Sequence, residues 1–216
     1  MSIDATHLAA RLTGAISSGA VAGQSPMSWL WPALLRSLAR GRPVAVEDLA
    51  QATGRSSAEV RDGLAGLADT EYDDLGRVVG HGITLRRTPH QFTVDGQRLY
   101  TWCALDTLIF PTVLGQAATV ASPTPGTGEL VRLAVDPAAG VTELDPATAV
   151  VSVLIPETTS GVRSAFCNQV HFFATPEAAQ NWLANHPGGA VLSVAEAFDL
   201  GRRLAQDLPS DHRTRS

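Results

Sequence analysis

Three helical patterns followed by short strand patterns occupy residues 28–98, and this order leaves few folds open to the first half of the chain. Pro32 to Arg40 carries Leu34, Leu35 and Leu38 at helical spacing and stops at Gly41 and Pro43. Val46 to Ala52 is a second short helix. After Gly54, Ser56 and Glu59 spell a capping box, which starts a third helix through Val60, Leu64 and Leu67. VVGHGITL and HQFTVDGQRLY then read as short strands, the first after a turn at Asp73–Gly76 and the second broken by Asp95–Gly96. Three helices and a small ribbon outline a winged helix-turn-helix, whose third helix serves in other proteins to read the major groove. Here that helix offers Arg61 but also Glu59, Asp62 and Asp69, with EYDD directly behind. An acidic face repels phosphate, so the shape is expected to be a scaffold that binds no nucleic acid.

The second half has another rhythm. Leu99 to Leu114 is strongly apolar and reads as a helix that Pro111 breaks or kinks. Short β-type runs follow in ATVAS, ELVRLAV and AVVSVLI, divided by Pro and Gly turns. SAFCNQVHFF, ending at Phe173, reads as one more strand. Thr175 and Pro176 open a helix that closes near Pro187–Gly188, and Ser193 caps the last one. The expected architecture is α+β. A short helix near Leu8 to Ile16 and a linker make an extension over 1–27, followed by a winged-helix-like domain over 28–88. A mixed strand-and-helix domain over 89–209 and a frayed tail over 210–216 complete the partition.

Composition narrows the function classes. The 216 residues are 44% hydrophobic with a net charge of −5, enough apolar content for a packed core. All 16 basic residues are Arg, so lysine Schiff-base chemistry has no candidate residue. Residues 28–98 hold nine Arg against nine acids, and 99–216 hold six against eleven, so neither half has the basic excess that phosphate backbones select. Two cysteines are too few for a disulfide scaffold, and neither a signal sequence nor an 18-residue apolar run is present. A cytoplasmic protein without membrane partners is the expectation.

Cys103 and Cys167 are the sharpest chemical feature. On a helix, Cys103 and Asp106 share a face. On a strand, Cys167, Gln169 and His171 share one, with Phe166 on the other. If that helix and strand pack together, two thiols and a carboxylate meet in an apolar pocket. Inert core cysteines are the plain alternative. A zinc site from Cys103, Asp106, Cys167 and His171 lacks the usual CxxC or HxxxH spacing. His171 is either a core histidine or a group that lowers the Cys167 thiol pKa.

LYTWCALDTLIFP, followed some sixty residues later by SAFCNQVHFF, resembles the bacterial organomercurial lyases (alkylmercury lyases). SLARGRPVAVEDLA, TEYDDLGRVVGHGITL and VLSVAEAFDLG extend the resemblance over roughly residues 28–204. It implies that Cys103 and Cys167 are the two catalytic cysteines and Asp106 the catalytic carboxylate, with 89–209 the catalytic domain. It further implies no organic cofactor, a winged-helix-like region that is not a repressor, and a catalytic domain unlike common enzyme folds. Trp102, Phe166 and Tyr100 are candidates for contact with the substrate. Some relatives carry further cysteines, where this chain has the loop SPTPGTG and Asn168. The implied reaction is protonolysis, R–Hg⁺ + H⁺ giving R–H and Hg²⁺. Two thiolates hold the metal beside Asp106, and external thiols or a mercuric reductase remove it. Two other readings use the same cysteine pair: a metal-sensing winged-helix repressor and a non-catalytic thiol metal-binding protein.

Overall fold

The structure, a computed structural model, describes residues 26–154, 163 and 166–207. The helix expected at Leu8 to Ile16 and the tail at 210–216 lie outside the described residues. Among the described residues four helices come first: α1 (Pro26–Trp29), α2 (Trp31–Leu38), α3 (Val46–Thr53) and α4 (Ser57–Ala65). The capping box forms as read, with Ser56 Oγ accepting from the Glu59 N–H at 3.2 Å and Glu59 Oε2 accepting from the Ser56 N–H at 2.9 Å. Leu30, Leu34, Leu35, Leu38, Leu49, Val60 and Leu64 point inward and form the core of this helical layer.

The strands that follow do not stand apart as a wing. β1 (Glu71–Tyr72), β2 (Val78–His81), β3 (Ile83–Thr84), β4 (His90–Val94) and β5 (Gln97–Thr101) join β6 (Ala118–Pro123), β7 (Leu130–Asp136) and β8 (Gly140–Asp145) in one sheet. Its order is β1-β2-β3-β5-β4-β6-β7-β8, antiparallel throughout. VVGHGITL, read as one strand, is two, because the chain reverses at Gly82. Gly82 sits at φ +81°, and a Cβ there would lie 2.6 Å from Phe110 Cζ, so only glycine fits. The β4–β5 hairpin turns on Asp95 and Gly96, both at positive φ, with Val94 paired to Gln97. Such a two-residue turn matches the right-handed twist of its strands.

Helix α5 (Ala104–Leu114) begins five residues later than its apolar run suggests. Leu99 and Thr101 belong to β5, paired with Phe92 and His90, because the edge of β4 takes up their backbone groups. The helix then continues through Pro111 to Gly115. It is apolar on nearly every side and accordingly lies in the core, against the sheet, α2 and the last helix. Phe110 packs edge-on to Trp31 at 6.0 Å and to Phe92 at 6.4 Å, joining the helical layer to the sheet.

A second sheet of order β10-β9-β11 contains β9 (Val150–Leu154), β10 (Phe172–Phe173) and β11 (Gly189–Ser193). Helix α6 (Pro176–Asn185) has Thr175 as its N-cap, and α7 (Val194–Asp207) starts from a Ser193–Glu196 capping box. Gly201 on α7 lets that helix cross α5 closely, since a Cβ there would meet Ile109 Cγ1 at 2.9 Å. Of the strand expected over SAFCNQVHFF, the described part from Phe166 on is largely replaced. Cys167–Gln169 form a 3₁₀ turn, and only Phe172 and Phe173 pair with β9. Ser152 explains the difference: its Oγ donates to the Gln169 carbonyl and accepts the His171 N–H, both at 3.0 Å, replacing a strand partner. Among the described residues, no helix is long and apolar enough to cross a membrane.

Candidate active site

Cys103 is the N-cap of α5, in extended conformation, and Asp106 is its N3 residue. The two form a capping box in which the usual hydroxyl is a thiol: the Cys103 N–H donates to Asp106 Oδ2 at 3.2 Å, and the Asp106 N–H points back at the sulfur. Thr101 Oγ1 donates to the Cys103 carbonyl at 2.9 Å, fixing the exit from β5. Cys103 therefore meets Asp106 by capping the helix rather than by sharing a helical face with it.

Cys167 opens the 3₁₀ turn and reaches the same point from the second sheet. Val170, at the end of that turn, accepts the first backbone N–H of α5, from Ala104, at 3.1 Å. One hydrogen bond thus clips the two cysteine-bearing segments together. The two Sγ atoms and a carboxylate oxygen of Asp106 all lie within 4.8 Å of one another. Among the described residues this is the one cluster of three His, Cys, Asp or Glu side chains so arranged.

Burial governs the electrostatics. Cys103 is fully buried and Cys167 nearly so, and both are free thiols. Burial pushes the Cys103 thiol well above its ordinary pKa, with its hydrogen bond to Cys167 and the Asp106 charge adding to the rise. Cys167 accepts from Cys103, which lowers its pKa, but burial and the nearby carboxylates outweigh this and the net direction is up. Burial also pushes the Asp106 carboxyl up to about 7, against the hydrogen bonds from Cys103 and the positive charge of Arg163. The pocket therefore favours protonated thiols and a carboxyl poised near neutrality. Two free thiols this close suit a soft, thiophilic metal centre.

Around the cluster, the other sequence candidates separate. Trp102 is buried, donates its indole N–H to Glu71 Oε1 at 3.0 Å, and has the Arg163 guanidinium 5.0 Å from its ring centroid. Phe166 is buried immediately before the Cys167 turn. Tyr100 lies on the opposite face of β5 from Leu99 and Thr101, its hydroxyl accepting from Arg87 at 3.3 Å. His171 does not share a strand face with Cys167, because the 3₁₀ turn intervenes. It instead lies against His90, ring centroids 6.2 Å apart, and burial lowers its pKa. Sequence reasoning missed Glu71 and Arg163, which pair across 92 positions of chain, so no local spacing could have announced them.

Similarity to known proteins agrees with this geometry. Residues 83–206 match the family model for alkylmercury lyase, and residues 7–82 match that for the helix-turn-helix domain of alkylmercury lyase. The alkylmercury lyase of Streptomyces lividans is 55% identical over 208 residues, covering 96% of this chain and 95% of that one. Those of Bacillus cereus and Pseudomonas putida are 52% and 43% identical, over 84% and 97% of this chain and 83% and 97% of theirs. The fold matches the mercury-bound form of MerB2 with a TM-score of 0.75 at 22% identity, over 93% of this chain and 98% of that one. With a Cys–Asp–Cys cluster at the meeting of helix and turn, both its thiols buried, and relatives that span nearly its whole length, this chain is an enzyme of the alkylmercury lyase family.

Proposed function

We propose that the protein cleaves carbon–mercury bonds by protonolysis, with Cys103 and Cys167 as the mercury-binding thiols and Asp106 as the proton carrier. The observation that carries this reading is the approach of two sulfurs and one carboxylate oxygen to within 4.8 Å in a buried pocket. A soft organomercurial cation, arriving as a thiol adduct R–Hg–SR′, exchanges onto one cysteine, and the displaced thiol R′–SH leaves with that cysteine's proton. The second thiol then gives its proton to Asp106 as its sulfur binds mercury. Electron density from two thiolates makes the carbon basic, and Asp106 passes the proton to it. R–H leaves, and Hg(II) stays on two thiolates, so atoms and charge balance. A carboxyl held near pKa 7 suits both halves of this relay, since it neither refuses the thiol proton nor keeps it.

Trp102 and Phe166, both buried and each next to a cysteine in sequence, are the proposed apolar contacts of the organic group, and Tyr100 has a more distant part. No organic cofactor enters the scheme. Low-molecular-weight thiols in excess, or a mercuric reductase presenting a cysteine pair, are the proposed acceptors of Hg(II). The helix-turn-helix acts as scaffold: Arg61 is paired with Glu47 at 3.5 Å, Arg55 lies over Trp29, and the wing strands are part of the main sheet.

Headspace gas chromatography of protein with methylmercury and excess thiol tests the proposal. Methane from the wild type and none from Asp106→Asn is the expected result. Tight mercury binding without methane from the wild type would reduce the protein to a thiol chelator, and equal turnover by Asp106→Asn would remove the relay.

A further inference from the structure

The two stretches that carry the thiols are tied together a second time, by carboxylates from the connection between α4 and β2. Glu71 is 7% exposed, yet its carboxylate receives three donors. Oε1 accepts the Trp102 indole N–H at 3.0 Å and pairs with the Arg163 guanidinium, and Oε2 accepts the Thr84 hydroxyl at 2.6 Å. Asp69 supplies the other hold, its Oδ2 accepting the Arg163 backbone N–H at 3.1 Å. Trp102 precedes Cys103, and Arg163 lies four residues before Cys167. One buried carboxylate therefore bridges the segments bearing both sulfurs, while Asp69 fixes the backbone on the Cys167 side.

Resting on the thiol-pair reading above, we propose that Asp69 and Glu71 are positioning residues that act through Arg163 to hold Cys167 at chelating distance from Cys103. Two features favour this over mere satisfaction of buried polar groups. Asp69 is a non-glycine residue at φ +65°, a conformation costing of order 1 kcal/mol that its hydrogen bond to Arg163 helps to offset. The Asp69 carboxylate is spent on the Arg163 backbone N–H. Second, the Arg163 guanidinium that Glu71 holds lies 5.0 Å from the Trp102 ring centroid, so the side chain that leads to Cys167 also packs on the residue before Cys103. Neither carboxylate touches the reacting atoms, so both act at one remove.

Asp69→Gly removes the carboxylate and leaves the backbone free to keep its left-handed conformation. Asp69→Asn keeps both an acceptor and the tolerance for that conformation. The test measures retention of inorganic Hg(II) against glutathione, the kcat and KM for methylmercury, and the melting temperature. Asp69→Gly is expected to lose at least about tenfold in mercury retention and in kcat, with KM and melting temperature little changed. Asp69→Asn should stay within about twofold of wild type in every measurement. Glu71→Gln, whose one carbonyl oxygen can still accept from Trp102 while its amide N–H turns to the Thr84 hydroxyl, loses the ion pair and should resemble Asp69→Gly in retention. Wild-type retention and kcat in Asp69→Gly would overturn the proposal, as would an Asp69→Asn variant as impaired as Asp69→Gly. If the wild type releases no hydrocarbon, the lyase reading fails by itself, and Hg(II) retention still decides whether these carboxylates position the thiol pair.

Discussion

Asp106→Asn should stabilise the folded protein, and increasingly so as pH rises. The carboxyl has an ordinary pKa of 3.8 and is pushed up to about 7 in the fold, chiefly by burial. Between those values the folded state holds a proton that the unfolded chain has released, so wild-type stability falls as pH rises through this window. With each pH unit worth about 1.4 kcal/mol, the full loss is about 4 kcal/mol, and about 2.5 kcal/mol of it falls between pH 5 and pH 8. Part of the Asp106 residue is open to solvent, which screens the effect, so a change of about 1–3 kcal/mol is expected. Asparagine carries no proton to lose and can still accept the Cys103 N–H. Urea unfolding of wild type and variant under reducing conditions, at steps from pH 5 to pH 8, isolates the group because every other titration cancels in the difference. A stability difference that stays constant over that range would show the carboxyl to be solvated in the fold and would refute the reasoning.

Other perturbations have equally definite outcomes. His81 and His90 are buried neutral, with pKa values lowered by burial to about 4 and about 3. Their contribution is complete above pH 6.5 and falls with acidification, so pH 5 should cost about 2 kcal/mol for each, opposite in sign to Asp106; His90→Asn should flatten that slope in a denaturation series. Gly82→Ala combines φ +81° with a Cβ 2.6 Å from the Phe110 ring and should cost about 2–4 kcal/mol by chemical denaturation. Phe110→Ala should cost about 3–5 kcal/mol, measured the same way, because the ring touches both Trp31 and Phe92. Cys103→Ser and Cys167→Ser should each release no methane in the headspace assay while keeping the wild-type far-ultraviolet circular dichroism.

What the sequence disclosed follows the range of the forces involved. Ser56 with Glu59, Thr175 with Pro176, and Ser193 before α7 were legible because a cap is written within four residues of itself. Asp95–Gly96 was legible as a turn for the same reason. The start of α5 was not, since Leu99 and Thr101 are apolar enough for either element and only the partner strand β4 decides between them. The Cys167 turn escaped because a single hydroxyl, Ser152, replaces the ladder that the apolar alternation promised. The pairing of Cys103 with Asp106 could be read from their spacing. Their meeting with Cys167 required the Ala104–Val170 hydrogen bond, and the Glu71–Arg163 pair required the whole fold.

Two carboxylates near the thiols are thus used in opposite ways, and the difference lies in their neighbours. Glu71 meets a guanidinium, an indole N–H and a hydroxyl, so both its oxygens are committed as acceptors and it serves as a fixed anchor. Asp106 has the favourable end of a helix dipole and the Cys103 N–H, influences worth about 1 kcal/mol apiece. Burial is worth more than these here, since the carboxyl still rises to about 7. With no cation in salt-bridge contact with it among the described residues, Asp106 is left between acid and base while Glu71 is not. A relay that takes a proton from a thiol and gives it to carbon needs the first environment, and a clamp on the protein around that relay needs the second. Exchanging them should therefore fail in both directions. A cation brought into contact with Asp106 would hold it as a carboxylate and stop proton delivery, whereas removing Arg163 would leave Glu71 a buried charge without its counter-ion. Methane release by an Arg163→Leu variant at the wild-type rate would contradict this division of roles.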